Sequence, residues 1–112
     1  MSTRKNFRGV IPAVITPLNE NGQINIEYLE KQISYLSNAS VNGFFVCGGV
    51  GEGAYLSMHE KETMVTAVQA IANKNQFICL AIIKPSTREV IEEIKYFSKF
   101  KVDYIAAVTP FY

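Results

Sequence analysis

The chain has 112 residues, of which 48% are hydrophobic and 19% are charged, and its formal net charge is +1. This size suits one small domain, and the near-neutral mixture of charges gives no electrostatic footprint for nucleic acid or for an anionic membrane surface. No apolar run approaches the roughly 18 residues that a membrane span requires, and residues 1–8 lack the apolar segment of a secretory signal. We therefore expect a cytoplasmic protein without nucleic-acid or membrane partners, in which Cys47 and Cys79 are buried free thiols.

Four apolar runs alternate with three amphipathic segments along the chain. The runs cover residues 9–16, 43–47, 77–83 and 104–109. Nearly continuous apolar runs of this length are typical of strands that are covered on both faces. Pro12 cannot donate to a strand ladder, so we expect it at an irregular or edge position of the first run. The order β-α-β-α-β-α-β predicts an α/β fold with a parallel sheet.

The amphipathic segments carry the start signals of helices. Asn25, Ser57 and Ser86 each stand before a run with helical spacing of apolar residues, as N-cap residues do. Glu60 and Glu89 lie three positions after the two serines, which predicts a capping box at each of these helix starts. In the last helix we expect the buried stripe to consist of four apolar side chains, Val90, Ile91, Ile94 and Phe97.

Two α/β architectures fit this order, namely a small doubly wound sheet and a part of a (β/α)8 barrel. Both place ligands at the carboxyl ends of the strands, which here are residues 16–17, 48–53, 84–85 and 109–112. The fourth strand is not followed by a covering helix, and a closed barrel takes about 250 residues. We therefore expect residues 1–112 to form the N-terminal, four-strand part of a TIM (β/α)8 barrel domain whose remainder is missing.

A glycine-rich loop follows the second apolar run, and glycine occupies four of the six positions of residues 48–53. Glycine permits positive φ and lets a ligand come close to backbone N–H groups. A row of such amides at the end of a buried strand can hold an anion. The alternative interpretation is a tight strand-to-helix turn, which by itself would account for two of the glycines.

Five short motifs fall at these positions in register: Ile15-Thr16-Pro17, Asn21-Gly22, Gly48-Gly49-Val50-Gly51-Glu52, Ser86-Thr87-Arg88-Glu89 and Val108-Thr109-Pro110-Phe111-Tyr112. With this order and spacing, the chain resembles the N-terminal part of the dihydrodipicolinate synthase and N-acetylneuraminate lyase family. The resemblance implies a (β/α)8 class I aldolase or lyase that forms homo-oligomers and works without a metal or organic cofactor. Such enzymes join pyruvate to an aldehyde, or cleave the reverse adduct, through a lysine Schiff base. The Phe111-Tyr112 form is closer to the neuraminate lyase branch.

The resemblance also implies the roles of individual residues. Backbone amides of Gly48, Gly49, Val50 and Gly51 would bind the carboxylate of a 2-oxo acid such as pyruvate, and Tyr112 would relay a proton across a dimer interface. Gly49 and Val50 stand where the family usually has two hydroxyl residues, so carboxylate binding would survive while proton transfer would be weakened. The family's Schiff-base lysine lies on the sixth strand, so we expect no turnover by these 112 residues alone. The alternative is a catalytically silent 2-oxo-acid-binding or structural remnant of the family.

Three further polar residues near the predicted ligand face have competing interpretations. Lys84 could form an imine if burial lowered its pKa, and is otherwise a solvated loop lysine. Glu52 is interpreted as an anchor that accepts hydrogen bonds within the loop rather than as a general base. His59 is expected to be exposed in the first turn of its helix.

Overall fold

The computed structural model describes residues 6–109. Strands β1 (Gly43–Val46), β2 (Phe77–Ile82) and β3 (Tyr104–Ala107) form a parallel sheet in the order β1-β2-β3. Helices α1 (Ile26–Asn38), α2 (Met58–Ile71) and α3 (Thr87–Phe97) are interleaved with these strands, and α1 precedes β1. Short 3-10 helices at Gly53–Tyr55 and Ser98–Phe100 complete the regular structure of the described residues.

The first apolar run, predicted as a strand over residues 9–16, is an irregular edge segment instead. Ala13 forms a single parallel bridge with Phe45 of β1. The Val14 N–H donates to the Phe45 carbonyl at 2.9 Å, and the Phe45 N–H donates to the Pro12 carbonyl at 2.9 Å. Pro12 has no N–H to donate, so the hydrogen-bonded ladder between this segment and β1 is interrupted at Pro12. The expected edge position of Pro12 is therefore confirmed, whereas the full-length strand is wrong.

The spatial order of the strands follows their order in the chain. The edge segment lies beside β1, β1 pairs with β2, and β2 pairs with β3. A doubly wound sheet reverses direction at a switch point, whereas a barrel adds each strand on the same side of the previous one. Because parallel crossovers are right-handed, addition in one direction places the helices on one face of the sheet. This order is that of a barrel wall, and it excludes the doubly wound alternative for the described strands.

The predicted helix starts agree with the structure, with one difference in detail. The Asn25 side chain accepts a hydrogen bond from a first-turn N–H of α1 at 3.1 Å. At α2, Ser57 Oγ accepts from the Glu60 N–H at 3.1 Å and the Ser57 N–H donates to Glu60 Oε1 at 2.8 Å, which completes the capping box. At α3, Ser86 Oγ caps the Glu89 N–H at 3.2 Å, but Glu89 Oε1 accepts from the Ser86 hydroxyl rather than from its backbone.

The core lies between the sheet and the helices. It contains apolar side chains of β1, β2, α1, α2 and α3, among them Leu29, Ile33, Phe44, Val46, Met64, Val65, Val68, Leu80 and Phe97. The stripe predicted for α3 is wrong at one position, because Ile91 is 46% exposed while Glu93 is only 2% exposed. Positions 90, 93 and 97 share one face of a helix, so Glu93 lies inward between Val90 and Phe97. No helix among residues 6–109 has the length and apolar character needed to cross a membrane.

Candidate functional site

The glycine loop connects the end of β1 to the start of α2 at the carboxyl edge of the sheet. The buried Thr16 hydroxyl donates to the Gly51 carbonyl at 2.7 Å. The end of the first apolar run and the glycine loop therefore meet, as the parallel arrangement predicts. Within the loop, Gly48 and Gly51 are buried, whereas Gly49 and Val50 are exposed.

Close packing, rather than positive φ, explains most of the glycines. The positive φ angles of the loop belong to Cys47 and Glu52, at 60° and 55°. At three glycines an added Cβ would be too close to another atom: 2.3 Å from the Phe45 ring at Gly48, 2.8 Å from the Val14 carbonyl oxygen at Gly51, and 1.8 Å from the Cys47 carbonyl oxygen at Gly53. A Cβ at Gly49 would meet no atom within 4 Å. The turn itself thus accounts for three glycines, one more than expected, and does not require Gly49.

Four successive backbone N–H groups of the loop, those of Gly48, Gly49, Val50 and Gly51, find no acceptor among residues 6–109. The next two amides are used within the loop, since Glu52 donates to the Gly49 carbonyl at 3.1 Å and Gly53 donates to the Gly48 carbonyl at 3.0 Å. Gly48 and Gly51 are buried, and buried backbone N–H groups without an acceptor are rare in native proteins. The loop therefore presents a row of unpaired donors, and such a row suits an anionic ligand.

Both cysteines are buried free thiols, as predicted. Burial raises the pKa of Cys47 from 9.0 to about 12, while the nearby Lys61 charge lowers it and the Glu93 charge raises it by smaller amounts. Burial also raises the pKa of Cys79. Because the thiolate is the nucleophilic form of cysteine, Cys47 is not a nucleophile near neutral pH despite its place at the start of the loop.

A buried ion pair, which the sequence pattern did not predict, joins α2 to α3. The Lys61 ammonium contacts Glu93 Oε1, and the two side chains are 1% and 2% exposed. Glu93 Oε2 has no hydrogen-bond partner among the described residues and lies 3.6 Å from the Nζ atom of Lys84. The distance of 3.6 Å shows that Lys84, whose side chain is 28% exposed, is paired with Glu93 rather than a freely solvated loop lysine. The only sequence signal was position, because Lys61 lies one helical turn before Val65 and Glu93 lies three residues after Val90.

Three other predicted residues have different outcomes. Tyr112, the predicted proton relay, lies outside the described residues. His59 is exposed in the first turn of α2, as expected. Glu52 is exposed, and its carboxylate accepts no hydrogen bond from residues 6–109, so its predicted anchoring role is wrong. The Thr16 hydroxyl is the side-chain group that holds the loop.

No cluster of three or more His, Cys, Asp or Glu side chains within residues 6–109 could hold a metal ion.

A model of the dihydrodipicolinate synthetase family matches residues 6–112. The chain belongs to this family. Among curated members of the dihydrodipicolinate synthetase family, it is similar to a 4-hydroxy-tetrahydrodipicolinate synthase of Microcystis aeruginosa, with 32% identity over 112 residues, covering 100% of this chain and 38% of that protein. It is also similar to an N-acetylneuraminate lyase of Histophilus somni, with 29% identity over 109 residues, covering 96% of this chain and 37% of that protein.

Solved structures of the dihydrodipicolinate synthetase family share the fold. The N-acetylneuraminate lyase of Fusobacterium nucleatum superposes with a TM-score of 0.81 at 30% identity, covering 93% of this chain and 36% of that one. The dihydrodipicolinate synthase of Aquifex aeolicus gives a TM-score of 0.85 at 25% identity, covering 95% of this chain and 36% of that one. The predicted partial (β/α)8 barrel is confirmed, and the chain spans little more than a third of the length of these relatives.

Proposed function

We propose that residues 48–51 bind the carboxylate of a small 2-oxo acid such as pyruvate. The observation that supports this proposal is the row of four backbone N–H groups, at Gly48, Gly49, Val50 and Gly51, without acceptors among the described residues. A carboxylate offers two acceptor oxygens and about four lone-pair sites, so one carboxylate can satisfy several of these donors. The Thr16 hydroxyl and the packing of Gly53 against Cys47 hold the loop in this shape before any ligand arrives.

This binding site would serve a class I aldolase or lyase. In that chemistry a lysine amine condenses with the ketone of the 2-oxo acid, water leaves, and the protonated imine accepts the electron pair of the adjacent carbon. By resemblance, the lysine belongs to a sixth strand of the barrel and Tyr112 relays a proton across the interface of a homo-oligomer. These 112 residues would then supply the carboxylate site without catalysing turnover on their own.

Binding is tested by thermal unfolding of the purified protein with pyruvate and with pyruvamide, which keeps the ketone but lacks the carboxylate. A ligand that binds only the folded state stabilises it by about 2.7 kcal/mol at a concentration of 100 times its dissociation constant. We expect saturable stabilisation by pyruvate and none by pyruvamide. Equal effects of the two compounds, or no effect of either, would contradict the proposal.

The covalent step is tested separately with borohydride, which reduces an imine to a stable secondary amine. In an active aldolase, pyruvate and borohydride together add the mass of a reduced pyruvate adduct to the protein, whereas either reagent alone does not. We expect no adduct and no cleavage of N-acetylneuraminate by these 112 residues. Measurable cleavage by this chain would contradict the proposed division of roles.

A second candidate function is a binding protein without catalysis. The observation that favours it is the absence of hydroxyl side chains at Gly49 and Val50, where the resemblance implies two of them. Gly49 has open space around its Cβ position, so Gly49→Ser introduces a hydroxyl without a clash. The two candidates differ only in a protein that also contains the sixth-strand lysine. If the Gly49→Ser variant of such a protein gains turnover together with pyruvate binding, the aldolase proposal is favoured. If that protein binds pyruvate but stays inactive and borohydride traps no adduct, the silent binding protein is favoured.

A further inference from the structure

We propose that the buried ion pair of Lys61 and Glu93 positions the glycine loop for carboxylate binding. Both side chains are almost fully buried, at 1% and 2% exposed, and they join different helices. They act on the ligand through the loop, so they are positioning residues rather than catalytic ones. The inference rests on the proposed function of residues 48–51. It assigns a role in binding to two helix residues that lie outside the glycine loop and outside the five sequence motifs.

The downstream end of the loop is held through α2. Leu56 is buried, Ser57 caps the helix, and the Lys61 N–H donates to the Ser57 carbonyl at 3.0 Å. The Lys61 side chain therefore leaves the first turn of α2 and reaches Glu93 of α3. This contact fixes where the first turn of α2 lies relative to α3, and hence where the loop ends.

Close contacts and a hydrogen bond within the loop leave it little room to adjust if α2 shifts. Gly53 packs so closely on Cys47 that a Cβ would lie 1.8 Å from the Cys47 carbonyl oxygen, and the Gly53 N–H donates to the Gly48 carbonyl. The charges of Lys61 and Glu93 also act on the Cys47 thiol, which stands at the upstream end of the same loop. A displacement of the pair would therefore move the donors of residues 48–51.

The ion pair is better suited to defining geometry than to adding stability. Desolvation of two buried charges largely offsets their attraction, and apolar pairs of similar volume are often equally stabilising. Glu93 Oε2 also lacks a hydrogen-bond partner among the described residues, with Lys84 Nζ at 3.6 Å. A double substitution to apolar residues can therefore separate the positioning role from a purely structural one.

The experiment compares the parent protein with the double variant Lys61→Met/Glu93→Leu, using thermal unfolding and pyruvate titration. We expect the melting temperature of the double variant to stay close to that of the parent, while its dissociation constant for pyruvate rises about tenfold, since small misplacements of binding groups weaken their interactions steeply. The matched control is Glu27→Leu/Lys31→Met, which removes an ion pair of 3.5 Å whose side chains are 75% and 68% exposed on α1. This control should bind pyruvate like the parent.

If the double variant does not fold, the single variant Lys61→Met replaces it, because Glu93 then keeps Lys84 as a charged partner at 3.6 Å. We expect the dissociation constant of Lys61→Met for pyruvate to rise about tenfold, since α2 is no longer joined to α3 by the buried pair. Parental pyruvate affinity of Lys61→Met would overturn the inference. If the folded double variant binds pyruvate like the parent, the inference alone fails. If the parent itself does not bind pyruvate, the proposed function fails and the inference falls with it.

Discussion

Replacement of Gly53 by alanine tests whether close packing gives the loop its shape. The new Cβ would lie 1.8 Å from the Cys47 carbonyl oxygen and 2.6 Å from its carbonyl carbon, both of which are backbone atoms. Since the neighbour is not the end of a flexible side chain, the backbone itself must move. This movement would also disturb the hydrogen bond of 3.0 Å from the Gly53 N–H to the Gly48 carbonyl.

The expected loss combines two effects. Overpacking typically costs about 1–3 kcal/mol, and one weakened hydrogen bond costs about 1 kcal/mol. We therefore expect Gly53→Ala to lower the free energy of unfolding by about 3 kcal/mol, measured by urea denaturation followed by circular dichroism. Gly49→Ala is the matched control, because no atom lies within 4 Å of its Cβ position and its stability should change by less than about 1 kcal/mol. Similar stabilities of the two variants would refute the packing argument.

Two further predictions concern Thr16 and Cys47. Thr16→Val removes the donor to the Gly51 carbonyl, so we expect the free energy of unfolding, measured by urea denaturation, to fall by about 1–3 kcal/mol and pyruvate to bind more weakly. Thr16→Ser keeps the hydroxyl and should retain both stability and binding. Equal behaviour of the two variants would contradict the anchoring role of the Thr16 hydroxyl. For Cys47, a thiol pKa of about 12 in the folded state against 9.0 otherwise means that its stabilising contribution is complete below pH 9 and is lost as the pH rises towards 12. Between pH 9 and 12 we expect the free energy of unfolding of the parent protein to fall more steeply than that of Cys47→Ala, by about 1.4 kcal/mol per pH unit. Parallel pH profiles of the parent and of Cys47→Ala would refute the argument that burial raises the thiol pKa.

The strands and the helix starts could be predicted from the sequence because local chemistry determines them. The apolar run of residues 77–83 predicted β2 to within one residue of its observed end, and Ser57 with Glu60 marked the start of α2. Alternation of strands and helices alone fits both architectures, so the barrel prediction depended on the missing helix after the fourth run and on the five motifs in register. Pro12 signalled an irregular edge, but not that the ladder there would shrink to a single bridge.

The site was less predictable than the fold. A pattern that assigns charged residues to solvent places Glu93 outside and Ile91 inside, and the structure reverses both. Glu93 is tolerated in the interior because Lys61 comes from a different helix, which is a tertiary contact without a local signal. In the glycine loop, composition suggested conformational freedom, whereas the positive φ angles belong to Cys47 and Glu52. The unpaired amides depend on the path of the backbone, which side-chain patterns do not record.

The central claim is that the amides of residues 48–51 bind a carboxylate, and backbone NMR tests it most directly. The amide resonances of Gly48, Gly49, Val50 and Gly51 are followed during titration with pyruvate and with pyruvamide, and Gly22 in a separate turn serves as the internal reference. We predict that the four resonances shift saturably with a single dissociation constant for pyruvate, and that they stay in place with pyruvamide. Unchanged resonances at saturating pyruvate, or shifts that pyruvamide reproduces, would contradict the account.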